Sequence, residues 1–380
     1  MGVPFVDLKA QYRSIQDEID AAIREVIEST AFVLGPAVER FEHDFAAYLG
    51  VDHVVATSNG TTALQLSLLA LGIHQGDEVI VPAHTFIATA EEDAHVGATP
   101  VFVDVQEETG NLDPTLLAAA TTSRTRAIIP VHLYGQPADL DATLDFARSR
   151  GIPVLEDACQ AHGATYHSRR VGSFGVASCF SFYPGKNLGA YGEGGAVATD
   201  DSHLASRVRR LRDHGQTQRY EHAEVGYNAR MEGIQGAVLA VKLRRLDDWN
   251  EARRTAAAYY SLALRGVPGL RVPSIAPGRE HVFHLYVVRS EERDALREHL
   301  NALGIQTGLH YPVPLHLQLA FAPSGAAAGA RTGEFPVAER WARTGLSLPL
   351  FAEITRDQQD EVIQGVKSLS LVAAAQANKR

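Results

Sequence analysis

Ser181-Phe182-Tyr183-Pro184-Gly185-Lys186-Asn187-Leu188-Gly189-Ala190-Tyr191-Gly192-Glu193-Gly194-Gly195 is a glycine-rich turn built around one lysine. An apolar run that reads as a strand (177–182) leads into it, and a second (196–199) leads out. Glycine permits close backbone approach and positive φ, so a loop of this composition surrounds something. The Lys186 amine is either a solvated surface charge or the one group the loop presents. Two phosphate-binding loops are excluded. A Walker loop needs glycine where Phe180 stands, and Ser or Thr where Asn187 stands. A dinucleotide fingerprint begun at Gly192 would put its last glycine on Val197. The chemistry left for the amine is a Schiff base with a carbonyl cofactor, as in pyridoxal phosphate (PLP) enzymes, and that reading needs partners elsewhere in the chain.

The preceding sequence supplies a scaffold for such partners. Residues 11–30 and 36–49 have helical spacing, the second opening on Pro36. Strand-like runs at 53–57, 78–81, 100–105, 127–133 and 152–156 then alternate with helical patterns at 62–71, 87–96, 114–120 and 140–150. This alternation predicts an α/β fold with a mostly parallel central sheet covered by helices, and ligands beyond the carboxyl ends of its strands. After the lysine loop come a helix over 202–213, a polar loop through Gly226-Tyr227-Asn228, and one long helix over 231–264. From about residue 271 the pattern becomes a smaller α+β region, with strands at 282–288 and 305–308, a helix at 292–303 and a last helix from about 355. The expected division is a large domain over 1–245 and a small one over 246–380. Residues 322–333 read as a flexible surface segment by composition.

Composition narrows the function classes. The chain has 380 residues with 45% hydrophobic content, enough for a large core and two domains. Net charge is 35 − 45 = −10 without a basic stripe, which argues against nucleic acid. The two cysteines, Cys159 and Cys179, lie in apolar segments and read as reduced core residues, and no metal-spaced cluster is present. Neither a signal-like N-terminus nor a membrane-length apolar run is visible, so a soluble cytoplasmic protein is expected.

The loops after the strands carry the chemistry. Ser58-Asn59-Gly60-Thr61-Thr62 opens a helix, either as a phosphate cradle or as a plain N-cap. Phe86, in Pro82-Ala83-His84-Thr85-Phe86, can stack on a cofactor ring or belong to the core. In Glu156-Asp157-Ala158-Cys159-Gln160-Ala161-His162-Gly163, a carboxylate at a buried strand end needs a partner. A protonated pyridine nitrogen would serve Asp157, the other readings being a helix cap or a structural ion pair. Asp157 precedes Lys186 by 186 − 157 = 29 residues, room for a turn and two strands to bring both to one site.

These motifs resemble, nearly end to end, the DegT/StrS-type PLP-dependent sugar aminotransferases, a branch of the aspartate-aminotransferase fold (fold type I). The resemblance rests on Val6-Asp7-Leu8 with Leu34-Gly35-Pro36, on Ser58 through Leu64, on Gly76-Asp77-Glu78-Val79-Ile80-Val81-Pro82, and on the Glu156 motif. Phe180 through Gly195 and Gly226-Tyr227-Asn228-Ala229-Arg230-Met231 are its most specific parts. The resemblance implies that Lys186 holds PLP and that Asp157 pairs with the ring nitrogen. Gln160 would approach the ring hydroxyl, Gly60, Thr61, Thr62 and Ser181 would hold the phosphate, and Phe86 would lie against the ring. Asn228 would reach the neighbouring subunit's cofactor phosphate, implying a homodimer with shared sites. Dehydratases of the family carry histidine in place of this lysine, so amino transfer is favoured.

The 281–289 and 307–317 segments resemble the branch acting on nucleotide-linked 3-keto sugars. That makes Tyr183, Arg219, Tyr220, His310, Tyr311 and His316 candidate sugar-nucleotide contacts, with L-glutamate as donor and 2-oxoglutarate as by-product. A 4-keto sugar, a UDP-3-keto-N-acetylhexosamine and a keto cyclitol are the alternative acceptors. A non-catalytic regulator on the same fold would have lost the lysine or the aspartate.

Overall fold

The computed structural model describes residues 2–321 and 331–377. Seven strands form the main sheet: β1 (His53–Thr57), β2 (Glu78–Pro82), β3 (Thr99–Val103), β4 (Thr125–Ile128), β5 (Leu155–Asp157), β6 (Ala177–Ser181) and β7 (Gly195–Thr199). Their order is β3-β2-β4-β5-β6-β7-β1, the two halves being joined by parallel bridges Ile128–Val154 and Val131–Asp157. Only β7 runs against the others, between β6 and β1. The carboxyl ends of β1, β2, β4, β5 and β6 therefore share one edge, and the mostly parallel α/β sheet expected from the alternation is present.

Both sheet faces are buried, as a sheet flanked by helices requires. Val55 and Val197 pack in one cluster, while their neighbours Val54, Ala56, Ala196 and Ala198 pack in another, the period of two expected for strands. A further core joins Tyr260, Tyr286, Leu300, Ile305, Leu348 and Val362, and Val3 at the start of the chain buries in it. Its sheet runs β8 (Leu270–Arg271), β9 (Tyr286–Ser290) and β10 (Gly345–Leu348), with β9 in the middle.

Four local expectations need correction. The helix over 231–264 is two helices, Gly233–Leu243 and Leu246–Leu264. Arg244 and Arg245 break it, both reaching Glu18 (2.7 and 2.9 Å) while Leu243 and Leu246 turn into one core. The helix over 11–30 breaks likewise at Ile15, whose side chain buries against Ile19, Val238 and Val241. Residues 305–308 make only one bridge, Gly308 to Ser347, because Ile305 is committed to the core. The strand expected from 282 begins at Tyr286, since Phe283 is left-handed (φ 44°) and Val282 N–H bonds to Gly135 instead. Most of the 322–333 segment, residues 322–330, lies outside the described residues.

Among the described residues, one buried carboxylate has neither oxygen hydrogen-bonded. Asp93, on the helix Ala88–His95, is fully buried and neither carboxylate oxygen is hydrogen-bonded. Burial, reinforced by Glu92, pushes its pKa well above the ordinary value. The folded chain then keeps a proton that the unfolded chain releases near pH 4. The stability this group contributes is full below that pH and is lost as pH rises toward the folded-state pKa. Asp93→Asn, neutral at every pH, should therefore be the more stable protein at pH 8. Thermal melts should show the gap closing near pH 4; a gap independent of pH would refute the assignment.

Candidate active site

The helix Gly60–Ala70 begins directly after β1. Asn59 caps it, its Oδ1 accepting from Thr62 N (2.8 Å) and Thr62 Oγ1 (2.9 Å), and Ala63 N bonds to Asn59 O. The Gly60 and Thr61 amides remain free among the described residues, so the cap and the anion-binding readings are compatible here. A Cβ on Gly60 would lie 2.5 Å from Ser181 Cβ and 3.0 Å from Cys159 Sγ, so the end of β6 closes directly on the helix N-terminus. Gly60, Thr61, Thr62 and Ser181 thus form one cradle.

Alternation along β5 sends its two carboxylates opposite ways. Glu156 accepts from His132 Nε2 (3.0 Å) and from the Gly172, Phe174 and Gly175 amides, a structural role. Asp157 accepts from Thr89 Oγ1 (2.8 Å) and Cys159 N (3.2 Å), which leaves acceptor capacity on each oxygen. Gln160 accepts from Tyr134 N (2.7 Å) and donates to Tyr311 Oη (3.1 Å). Phe86 is 49% exposed, tilted against Tyr311 at 5.5 Å, so its face is not core.

The lysine loop is pinned from behind. Asn187 Nδ2 donates to Asn250 Oδ1 (2.8 Å) and Val282 O (3.0 Å), while Gln235 Oε1 accepts from Tyr191 N (2.9 Å). Lys242, buried, donates to Gly189 O (2.7 Å). The loop's glycines serve close approach and not positive φ: a Cβ on Gly189 would meet Pro184 O at 2.4 Å, and one on Gly195 would meet the Asn59 backbone at 2.2 Å. Lys186 itself is half-buried, and its Nζ has no hydrogen-bond partner among the described residues. Burial pushes its pKa down, while Cys159 and Asp157 nearby hold it up. Burial thus favours the neutral form, the one that reacts, and no partner among the described residues holds the amine back.

Lys242 allows a test of the pinning. Burial lowers its pKa to about 8. Lys242→Met strands Gly189 O, at about 1–3 kcal/mol, but also removes a buried charge. The two effects oppose in global stability, so melting should change little. The loop, however, loses its anchor, and the cofactor should bind about tenfold more weakly in a fluorescence titration. Unchanged affinity would show that Lys242 does not hold the loop.

The Lys186 charge bears on three histidines. Burial, and then the Lys186 charge, holds His310 at about 4 and His162 at about 3, and His284 is driven well below the ordinary value by burial first, then Lys186 and Arg253. All three are neutral at pH 7. His310 lies here with Tyr311, its Nδ1 at 2.8 Å from Ser347 Oγ. His316 does not join them: it is fully buried, bonded to Glu339 (3.1 Å) and packed on Phe335. Tyr183 is exposed at the loop mouth. Arg219 and Tyr220 sit on a separate exposed hairpin, in contact with each other (3.3 Å), and Asn228 is exposed and accepts from Arg230.

Thr89, Tyr134 and His284 were not singled out from the sequence. Thr89 follows Thr85 by one helical turn, a weak signal. Tyr134 is left-handed (φ 59°) and reaches both His84 (2.8 Å) and His310 O, which no local pattern reveals.

An anion cradle, a carboxylate with spare acceptor capacity, an exposed aromatic face and a free amine suit PLP, element by element. Known proteins agree. The chain is 49% identical over 365 residues to the dTDP-3-amino-3,4,6-trideoxy-alpha-D-glucose transaminase of Streptomyces venezuelae, covering 96% of this chain and 95% of that protein. A crystal structure of S. venezuelae DesV in complex with a ketimine intermediate superposes with TM-score 0.94 at 49% identity, over 97% of this chain and 98% of that one. NtdA of Bacillus subtilis, solved with bound cofactor PMP, superposes with TM-score 0.90 at 31% identity, over 97% of this chain and 85% of that one. PLP is accordingly the cofactor. A profile match over residues 13–367 joins this fold and this site, and the chain belongs to the DegT/DnrJ/EryC1/StrS aminotransferase family.

Proposed function

We propose that this protein transfers an amino group from L-glutamate to a dTDP-linked 3-keto-6-deoxyhexose in a ping-pong reaction, releasing 2-oxoglutarate in the first half. The observation that carries the reading is the unpartnered Lys186 amine held near Asp157 at the mouth of the Gly60–Ser181 cradle. The names of the relatives supply the sugar: the S. venezuelae enzyme is named for a 3-amino dTDP sugar, and a 42% identical protein of Aneurinibacillus thermoaerophilus is a dTDP-3-amino-3,6-dideoxy-alpha-D-galactopyranose transaminase.

PLP, when bound, supplies the carbonyl that receives the amino group and a ring that takes up the electron pair freed at the substrate carbon. The chain does the rest. Lys186 would hold the cofactor, and its amine, when free, would move a proton at the substrate carbon. Asp157, oriented by Thr89 (2.8 Å), would keep the ring nitrogen protonated. Gln160 would meet the ring hydroxyl, Phe86 would lie against the ring, and Gly60, Thr61, Thr62 and Ser181 would bind the phosphate. Tyr183, His310 and Tyr311 line the sugar's approach. Domains over 1–245 and 246–380 would contribute the cofactor floor and the His310-Tyr311 wall respectively. The proposal places the reaction in the cytoplasm. No described helix is long and apolar enough to cross a membrane.

Asn228, Arg219 and Tyr220 fit the reading as contributions to a second subunit's site. The exposed hairpin and the exposed Val225 and Tyr227 beside them support a homodimer. Mixing inactive Lys186→Ala and Asn228→Asp homodimers under exchange conditions should then restore activity, through heterodimers holding one intact site. No recovery from verified heterodimers would refute shared sites. For the chemistry, the PLP-loaded protein should lose its lysine-bound absorbance band on addition of L-glutamate alone, with 2-oxoglutarate released in proportion to sites. A panel of dTDP- and UDP-linked 3- and 4-keto sugars then identifies the acceptor. An unchanged band would overturn glutamate as donor.

A further inference from the structure

On the far side of Trp341 from the catalytic floor, three arginines converge on one carboxylate. Glu107, in the loop after β3, accepts from Arg289 (2.7 Å) and Arg271 (3.2 Å) on one oxygen and from Arg340 (2.6 Å) on the other. These residues line a cleft of about 290 Å³ with Ser290 and Gly269. Glu291 also lines the cleft and lies 3.6 Å from Arg343. Three arginines thus line the cleft with two carboxylates, leaving it net positive in a chain whose net charge is −10.

Two features distinguish this cluster from an ordinary ion-pair latch. Arg271 and Arg289 are direct cross-strand partners on β8 and β9, where like charges repel and are disfavoured. And Arg289, with a side chain only 9% exposed, stacks its guanidinium on the Trp341 ring at 4.3 Å, so its charge is fixed in place. Each guanidinium carries five N–H donors, and the Glu107 carboxylate takes only one from each of the three. The donors left over, with a net positive charge, line a cleft at the small end of the range for ligand sites.

We propose that this cleft is a binding site for a small dianionic oxyanion of the phosphate class, either inorganic phosphate or the phosphate of a small metabolite, held by Arg271, Arg289 and Arg340. A planar guanidinium pairs bidentately with such oxygens, and an anion would offset the cluster's net positive charge. The site is separate from the cofactor cradle and independent of the amino-transfer reading. Its occupancy is reported by Trp341, whose ring contacts Arg289 on one side and lies 6.1 Å from His84 on the other.

Tryptophan fluorescence of the PLP-loaded protein, titrated with inorganic phosphate at ionic strength fixed by sodium chloride, tests this. Trp249 is the only other tryptophan and serves as background. A saturable change is expected, abolished in the double variant Arg271→Gln/Arg340→Gln, both of whose arginines are partly exposed and dispensable to the core. Glu107→Gln removes the competing carboxylate and should tighten phosphate by roughly fivefold, the effect of one unit charge at about 4 Å in water. If Glu107→Gln instead weakens binding, or the double variant titrates like the parent, or phosphate acts no differently from chloride, the site is refuted. Repeating the titration with glycerol 3-phosphate separates the sources: tighter binding than phosphate assigns the site to a phosphorylated metabolite, equal or weaker binding to the free ion.

Discussion

Lys186→Ala should fold normally, still bind the cofactor, and lose amino transfer by on the order of 10⁶, the scale seen when a covalent nucleophile is removed. The expectation of normal folding comes from the site itself. Lys186 Nζ makes no hydrogen bond among the described residues, and burial already disfavours its charge, so truncation strands no partner. The loop is held by Asn187, Gly189 and Tyr191, not by the lysine. Cofactor binding should persist because the Gly60 cradle and Asp157 are untouched, although the bound cofactor will show free-aldehyde absorbance and wash out on dialysis. Lys186→Arg provides the sharper control. A guanidinium keeps a positive charge but is effectively always protonated, so it can neither attack the cofactor nor carry a proton. If Lys186→Arg retained activity, the lysine would be acting only as a charge, and the proposed chemistry would fail.

Some of this was legible in the chain and some was not, for physical reasons. Asp157 ends a strand, and Gly60, Gln160 and Lys186 follow strands at the same edge. Once the period-two runs alternate with helical spacing, the parallel sheet places those residues at one edge. What escaped depends on contacts between distant segments. Arg244 and Arg245 continue a helical pattern and are pulled out of it only by Glu18. His316 alternates with prolines as His310 does, and only packing against Phe335 and Glu339 turns it inward. Residues 107, 271, 289 and 340 become a cluster only in three dimensions. The glycines of the lysine loop were read as allowing both close approach and positive φ; the structure uses only the first, a distinction that depends on what lies across from them.

Asp157→Asn is the second large effect, expected to lower kcat/KM by about 10³, roughly 4 kcal/mol of transition-state stabilisation. Asparagine has the same shape, and the neighbouring bonds can adjust: its oxygen can still accept from Cys159 N, while its amide can donate to Thr89 Oγ1, which is both donor and acceptor. Folding and cofactor binding should therefore survive. What disappears is the negative charge that holds a proton on the cofactor ring nitrogen, and with it the ring's capacity to take up an electron pair. Thr89→Val separates charge from orientation. It leaves the carboxylate but removes the hydroxyl bonded to Oδ2, so it should cost about tenfold, in kcat and with little change in KM, because the carboxylate is then aimed less well. If Asp157→Asn and Thr89→Val cost the same, the carboxylate would be acting through the hydrogen-bond frame alone. A much larger loss for Asp157→Asn, with glutamate binding intact, would identify the charge itself as what makes the ring an electron sink.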